Sequence, residues 1–364
     1  MRASRDGWWL VITILLAVAL FGTVTALLLS FDPRTSGAEA IRTGGLVSAA
    51  VVALYALWLN DRRRRVEESR HELERNSNDQ DRARVADERF ARAVELLGHE
   101  ADQVRVGALH ALAGLARSRP SYLQTVLDVV CSYLRRPFDH PDYPPDPTVP
   151  TGERPPWAPS DKRDADRERQ VRLAAQRVIG ELVPGCQQKP DPPPDLDLTG
   201  AVLDYIDLSG RAIGTLVLRD ARLHGTSRFS ATEITGDVWF TRVVSHGKLE
   251  CDRVIFFGGG NFPHLIAHGR VSFEGAHFHQ GAVFLAAAFH GPVTLAGSSF
   301  DKSVDLRRTV FRGDLDLRGR LPHPVRPGTG GMTVNISHDV RLPDGWAVRD
   351  DGRIGRISDP ETEL

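Results

Sequence analysis

The chain has 364 residues, 26% of them charged and 41% hydrophobic, with a formal net charge of -1. This balance excludes a strongly basic nucleic-acid binder, a wholly acidic DNA-like surface and a collagen-like composition. Only three Cys occur, which excludes a disulfide-dense scaffold, and the length exceeds that of one small domain.

Residues 8–31 carry no charge. At about 1.5 Å per residue they reach about 36 Å, enough to cross a hydrocarbon core of about 30 Å. A cleaved signal peptide is the competing reading, but the apolar run continues through Leu27, Leu28 and Leu29 beyond the cleavage-like residues 23–26. A second apolar run occupies residues 43–59. Residues 1–60 are therefore read as two transmembrane helices. Arg2 and Arg5 precede the first run, and Arg62, Arg63, Arg64 and Arg65 come directly after the second. Flanking basic residues of this kind place the N-terminus and everything after residue 60 on the cytoplasmic side of a cell membrane. At the membrane interface the four arginines fix topology, and they can also hold anionic headgroups of the lipid bilayer at about 1 kcal/mol each. In a reducing compartment Cys131, Cys186 and Cys251 are expected as free thiols, and Asn335-Ile336-Ser337 has no meaning as a glycosylation sequon.

Residues 61–89 hold nine acidic and nine basic residues with few apolar ones. Opposite charges three and four apart predict a solvated helical stalk continuing the second run. From Phe90 the apolar residues adopt helical spacing, predicting three amphipathic helices divided at Gly98-His99 and at Ser118-Arg119-Pro120. A Pro-rich linker near 137–160 precedes a fourth helix, whose residues 170–175 echo residues 103–108. Such self-similarity predicts a small helical-repeat module over 90–188, joining the stalk to the C-terminal half of the chain.

After a Pro-rich linker at 189–195 the period changes. Bulky apolar residues recur every five positions at Leu198, Leu203, Leu208, Ile213, Leu218 and Leu223, each with a companion two residues earlier that is apolar except at Arg211. On a helix these offsets scatter around the circumference, and on one flat strand they fall on both faces. They agree only if the chain turns a corner every five residues, which describes a four-sided β-solenoid. Beyond Leu223 the steps alternate between five and six. The slots become Phe229, Ile234, Phe240, Ser245, Cys251, Phe256, Phe262, Ala267, Phe273, Phe278, Phe284, Phe289, Leu295, Phe300, Leu306, Phe311 and Leu317. Ten of the fifteen Phe lie on this lattice. Its thirty-four inward positions, slots and companions together, should hold about nine charged residues at the chain's average and hold none, as burial of unpaired charge requires. Gly recurs at one phase of the eleven-residue repeat, with Gln280 and Lys302 as exceptions, which predicts corners of unusual backbone angle. About six coils are expected over 196–320. Residues 321–364 contain a short strand pair, around Pro343-Asp344-Gly345, that would cap the open end.

Leu196-Asp197-Leu198-Thr199-Gly200 and Ile206-Asp207-Leu208-Ser209-Gly210 resemble the unit of the pentapeptide-repeat family, Ala-(Asp/Asn)-Leu with two variable residues after it. The resemblance implies a right-handed square coil. The apolar runs, the Arg-rich exit, the helical segment and the Leu-Pro-Asp-Gly-Trp turn look like the membrane-anchored pentapeptide-repeat proteins of actinobacteria. That group implies fold and location rather than an activity. Some family members resemble DNA in shape and charge and bind type II topoisomerases. Residues 196–320 carry thirteen acidic and fourteen basic residues, so the negative surface such mimicry needs is missing.

Other chemistry is sparse. His264, His268, His277, His279 and His290 cluster in the chain, and His277 and His279 flank the inward Phe278. No carboxylate or Cys stands near them at metal-ligand spacing. Residues 257–261 are Gly-rich but lack the Lys-Ser/Thr and helix of a phosphate-binding loop, and Cys251 occupies a core slot. The expectation is a non-enzymatic, membrane-tethered scaffold that presents its solenoid to a cytoplasmic protein, without cofactor, metal, catalytic set or nucleic acid. A metal-binding or catalytic use of the surface histidines is the alternative.

Overall fold

The computed structural model describes residues 3–31, 37–144, 161–188, 191–318, 331–335 and 337–356. Most of the expected Pro-rich linker, Ile336 of the sequon match and the C-terminal tail lie outside them. The chain divides into two compact units, Met1–Val85 and Ala86–Leu364.

The first unit consists of α1 (Ala3–Phe31) and most of α2 (Gly37–Leu97). Among the described residues no helix is long and apolar enough to cross a membrane. This finding overturns the two expected spans, and with them the multi-pass membrane location. The physical reason lies in where the helices begin and end. α2 does not stop with the second apolar run. It is 61 residues long in all, and the charged sequence of 61–89 occupies much of its length. α1 incorporates Arg5, Asp6 and five hydroxyl-bearing residues among its 29. Arg62, Arg63, Arg64 and Arg65 fall inside α2, and their interfacial role concerns side chains outside the described set.

In the second unit, α3 (Asp102–Ser118), α4 (Leu123–Leu134) and α5 (Lys162–Leu182) pack around one another, with α3 chiefly against α5. The similar segments 103–108 and 170–175 thus lie on packed partners. Pro120 opens the short turn that separates α3 from α4, where its missing N–H costs nothing. The side chain of Asp161 caps α5 by accepting from the Asp164 N–H at 2.8 Å. Leu109, Leu112, Leu127, Leu134 and Ile179 are fully buried between the helices.

From Leu196 to Asp316 two- and three-residue strands stack in four parallel ladders. The first face holds six strands, beginning at Leu196–Asp197 and ending at Val304–Asp305. The second begins at Val202–Asp204, the third is entered through the Asp207–Arg228 bridge, and the fourth begins at Ala212–Ile213. Leu196 pairs with Leu216, twenty residues on, whereas Leu216 pairs with Val238, twenty-two residues on. Two eleven-residue repeats therefore make one later coil.

The slots at Leu198, Leu203, Leu208, Leu218, Leu223, Phe229, Phe240, Phe256, Phe273, Phe278, Phe284, Phe289, Phe300 and Phe311 are all buried, none more than 6% exposed. Repeating every 22 residues, their rings stack between coils. Phe256, Phe278 and Phe300 lie with centroids 4.4 and 4.6 Å apart, and Phe262 meets Phe284 at 4.8 Å. Such contacts add about 0.5–1.5 kcal/mol each beyond area burial.

The recurring Gly has the left-handed angle its phase suggests at Gly225, φ 66°, but a different cause at most later positions. Gly236, Gly247, Gly258, Gly269, Gly291 and Gly313 do not have positive φ. Instead they stand above a backbone carbonyl or side chain one coil earlier. A Cβ on Gly247 would lie 1.6 Å from the Gly225 carbonyl oxygen, and one on Gly269 2.2 Å from that of Gly247. These are the six-residue corners. The five-residue corners adopt the left-handed region instead, at Asp220, Ala231, Arg242, Arg253, His264, Gly275, Ala286, Gly297 and Arg308, one every eleven residues. At the exceptional Gln280 the next residue, Gly281, takes φ 94°, and Lys302 stacks on the Gln280 amide through a short hydrogen bond.

Both ends of the coil are covered. The Asp195 N–H donates to Gln124 Oε1 at 2.9 Å, the Asp204 N–H to Gln176 Oε1 at 3.0 Å, and the Ala212 N–H to the Pro184 carbonyl at 2.8 Å. Helical-module residues thereby occupy hydrogen-bonding positions a preceding coil would fill. Arg211, the odd member of the inward lattice, donates to the Val183 carbonyl at 3.1 Å in this cover. At the other end Thr333–Val334 adds to the second face and Val340–Arg341 to the third, and an antiparallel pair, Trp346–Val348 with Ile354–Arg356, comes after them. One buried apolar cluster runs from Ala93 to Ile354.

Candidate functional site

With its interior filled by side chains, the solenoid carries its chemistry on outward columns, where residues 22 apart stand directly above one another. On the second face His224, His246, His268 and His290 form such a column. Successive ring centroids lie 4.9, 5.3 and 4.8 Å apart, with interplanar angles of 9°, 6° and 25°. Tyr143 stacks on His224 at 3.8 Å, and Arg312 Nη1 lies 3.3 Å from His290 Nδ1 at the far end. Val244, Ile266, Ala288 and Val310 form a parallel half-buried column two residues away.

The start of this face is tied to the helical module. Tyr143 Oη donates to the buried carboxylate of Asp204, which also accepts from Arg169 at 3.1 and 3.3 Å. Arg222 Nη2 reaches the Phe138 carbonyl at 3.3 Å. Burial, then the neighbouring His246, lowers the His224 pKa to about 4, and its Nε2 is buried with no hydrogen-bond partner among the described residues. His290 is also shifted down, by burial first and then by Arg312.

On the fourth face the sequence-clustered His277 and His279 project outward on either side of Phe278, as strand alternation requires. Asp301 arrives from the next coil, 22 residues beyond His279. His277 Nε2 lies 3.1 Å from both carboxylate oxygens of Asp301, and His279 Nδ1 lies 2.7 Å from Oδ2. The two imidazole centroids are 4.1 Å apart. Hydrogen bonds from His277 and then from His279 hold Asp301 below the usual carboxylate range. Phe257, one coil earlier, stacks on His279 at 5.0 Å. The histidines close in sequence are therefore divided in space: His268 and His290 belong to the second face, His277 and His279 to the fourth, and His264 to a corner. The carboxylate missing at local spacing is supplied by the coil period.

The third face is polar. Arg318 pairs with Asp316 at 2.6 Å and Arg228 with Glu250 at 3.3 Å, while at the corner between the first and second faces Arg242 pairs with Asp220 of the coil before at 2.6 Å. These acidic groups are matched within the surface, so they form no row of bare negative charge. The Gly-rich residues 257–261 are a segment of coil, and a Cβ on Gly260 would crowd Phe262 and Phe278 at 3.1 Å. Cys251 is 2% exposed, and burial pushes its thiol well up, while Cys131 is pushed up to about 12 by burial. All three cysteines are free.

Residues 268–319 match the family described as pentapeptide repeats (9 copies). The matched stretch lies within the 22-residue coils, so pentapeptide repeats folded as a β-solenoid account for this part of the chain. No curated protein and no solved structure matches the sequence.

Proposed function

We propose that the protein is a non-enzymatic interaction scaffold whose solenoid docks a protein partner on its second face. The observation that carries this reading is the pair of columns on that face. Three accessible stacked imidazoles, His246, His268 and His290, run beside Val244, Ile266, Ala288 and Val310, offering a flat aliphatic and aromatic strip several coils long. Rigid amphipathic rings and β-branched side chains lose little conformational entropy when covered, which suits them to protein contacts. The ion pairs of the third face, Arg228 with Glu250 and Arg318 with Asp316, offer less to a partner, since these charges already have a match.

A photoreactive phenylalanine analogue placed at Ile266 in the full chain tests this in cells. Crosslinking should yield a discrete protein adduct, absent when the analogue stands at Glu250 on the third face. Equal adducts from both positions, or none from either, would refute docking through the second face. The matched acidic groups favour this reading over DNA mimicry, in which an unpaired negative surface must replace phosphates.

A further inference from the structure

We propose that His277, His279 and Asp301 form a binding site for a divalent transition-metal ion of the Zn²⁺ type on the fourth face. Three observations converge on it. The first is geometry. One ligand atom from each of the three side chains can be chosen so that all lie within 4.8 Å of one another, and modest side-chain movement brings them to the roughly 3.3–3.6 Å edges of a tetrahedron with bonds of about 2.0–2.2 Å. The nitrogens already aimed at the carboxylate are Nε2 of His277 and Nδ1 of His279. Small side-chain rotations let an ion take the place of the protons on these nitrogens, each neutral ring then carrying its proton on its other nitrogen.

The second observation is preorganisation. All three residues are held by main-chain bonds of the fourth ladder: the His277 N–H to the Val254 carbonyl at 2.8 Å, that of His279 to Phe256 at 2.9 Å, and that of Asp301 to Phe278 at 2.9 Å. Phe257 fixes the plane of the His279 ring from the coil before. Lys302, the nearest cation along the chain, is drawn to Gln280 through a short hydrogen bond and so kept for another partner. Little side-chain ordering remains to be done when an ion binds.

The third is the donor set. Two imidazoles and one carboxylate suit Zn²⁺, Co²⁺ or Ni²⁺, whereas Ca²⁺ and Mg²⁺ call for mainly oxygen ligands. All three side chains are partly exposed, His279 at 35% and Asp301 at 50%, so the remaining coordination positions face solvent. An exposed ion pair alone contributes about 0–1 kcal/mol, which gives no stability reason to converge two imidazoles on one carboxylate. This inference stands apart from docking through the second face.

The test is titration of the metal-free full chain with Zn²⁺ by calorimetry and with Co²⁺ by visible absorption. Wild type should bind one ion at this site, with Co²⁺ ligand-field bands indicating nitrogen and oxygen ligands. His279→Gln and Asp301→Asn should each weaken binding by roughly tenfold or more, at least the loss seen when an outer-shell partner of a metal site is removed. His268→Gln, in the other histidine column, should bind as wild type does. The three side chains lie outside the core, and far-ultraviolet circular dichroism should show unchanged folds. The proposal is overturned if wild type takes up no ion, if Asp301→Asn and His279→Gln bind like wild type, or if His268→Gln loses as much as they do.

Discussion

Five-residue and six-residue corners do the same job at alternate edges of one coil, and they do it with opposite chemistry. At the five-residue corners the backbone enters the left-handed region, yet most positions carry side chains, including Asp220, Arg242 and Arg308. At the six-residue corners from Gly236 on, Gly281 apart, the backbone angles are ordinary, yet Gly recurs because a carbonyl one coil earlier occupies the space of a Cβ. The difference shows that a recurring glycine can report crowding rather than torsion. A corner that needs an unusual φ tolerates side chains at a cost of about 1–2 kcal/mol each, while contact between coils excludes them outright.

The two corners should separate cleanly under mutation. Gly247→Ala is expected to cost about 4 kcal/mol or more, or to prevent formation of the coil, because its Cβ would meet backbone at 1.6 Å. Urea unfolding of the full chain measures this, and a loss under about 1 kcal/mol would remove the crowding explanation.

A second test asks whether the outer columns respond to solution conditions that leave the corners unaffected. The folded pKa of His224, about 4, lies below its ordinary 6.5. The unfolded chain therefore takes up this proton first. The stability linked to it is complete above pH 6.5 and is lost as the pH falls toward 4, amounting to about 2–3 kcal/mol at the low end. The charged groups around the ring are Asp204, which favours protonation, and Arg222 and Arg169, which oppose it together with His246. His224→Phe keeps a ring between Tyr143 and His246, so its unfolding free energy should fall less than that of wild type between pH 7 and pH 4.5.

The smallest effect is expected at the five-residue corners. Ala231→Gly removes a strained left-handed Ala at φ 56° and adds the chain entropy of Gly, for a net gain of about 0.5 kcal/mol. A thermal melt that moves down rather than up would argue that the Ala231 methyl has a packing role.

The lattice was legible because burial is unforgiving: Phe229 through Leu317 had to be uncharged at every inward slot, and that rule survives in the letters alone. The step from five to six residues was equally visible, and the pairing of Leu216 with Val238 is its structural counterpart. Three features stayed hidden. The function of the Gly phase depends on the distance between coils, which no single coil discloses. The His224 column and the approach of Asp301 to His279 require the 22-residue coil period to be applied to outward residues as well as inward ones, and local spacing hides both. The apolar runs at 8–31 and 43–59 suggested spans by composition, but the second is a fraction of a helix whose extent is set by the charged residues beyond it.

The cover that α4, α5 and the segment after α5 place over the first coil gives the solenoid a beginning. The chain is synthesised from its N-terminus, so the residues of that cover precede Leu196, and in the folded chain the backbone of Asp195, Asp204 and Ala212 meets them. Each later coil stacks on the one before it, its Phe slots meeting that coil's rings, so every coil offers the next a template. A repeat array built this way has its register set at one end, by the helices on which the first coil rests.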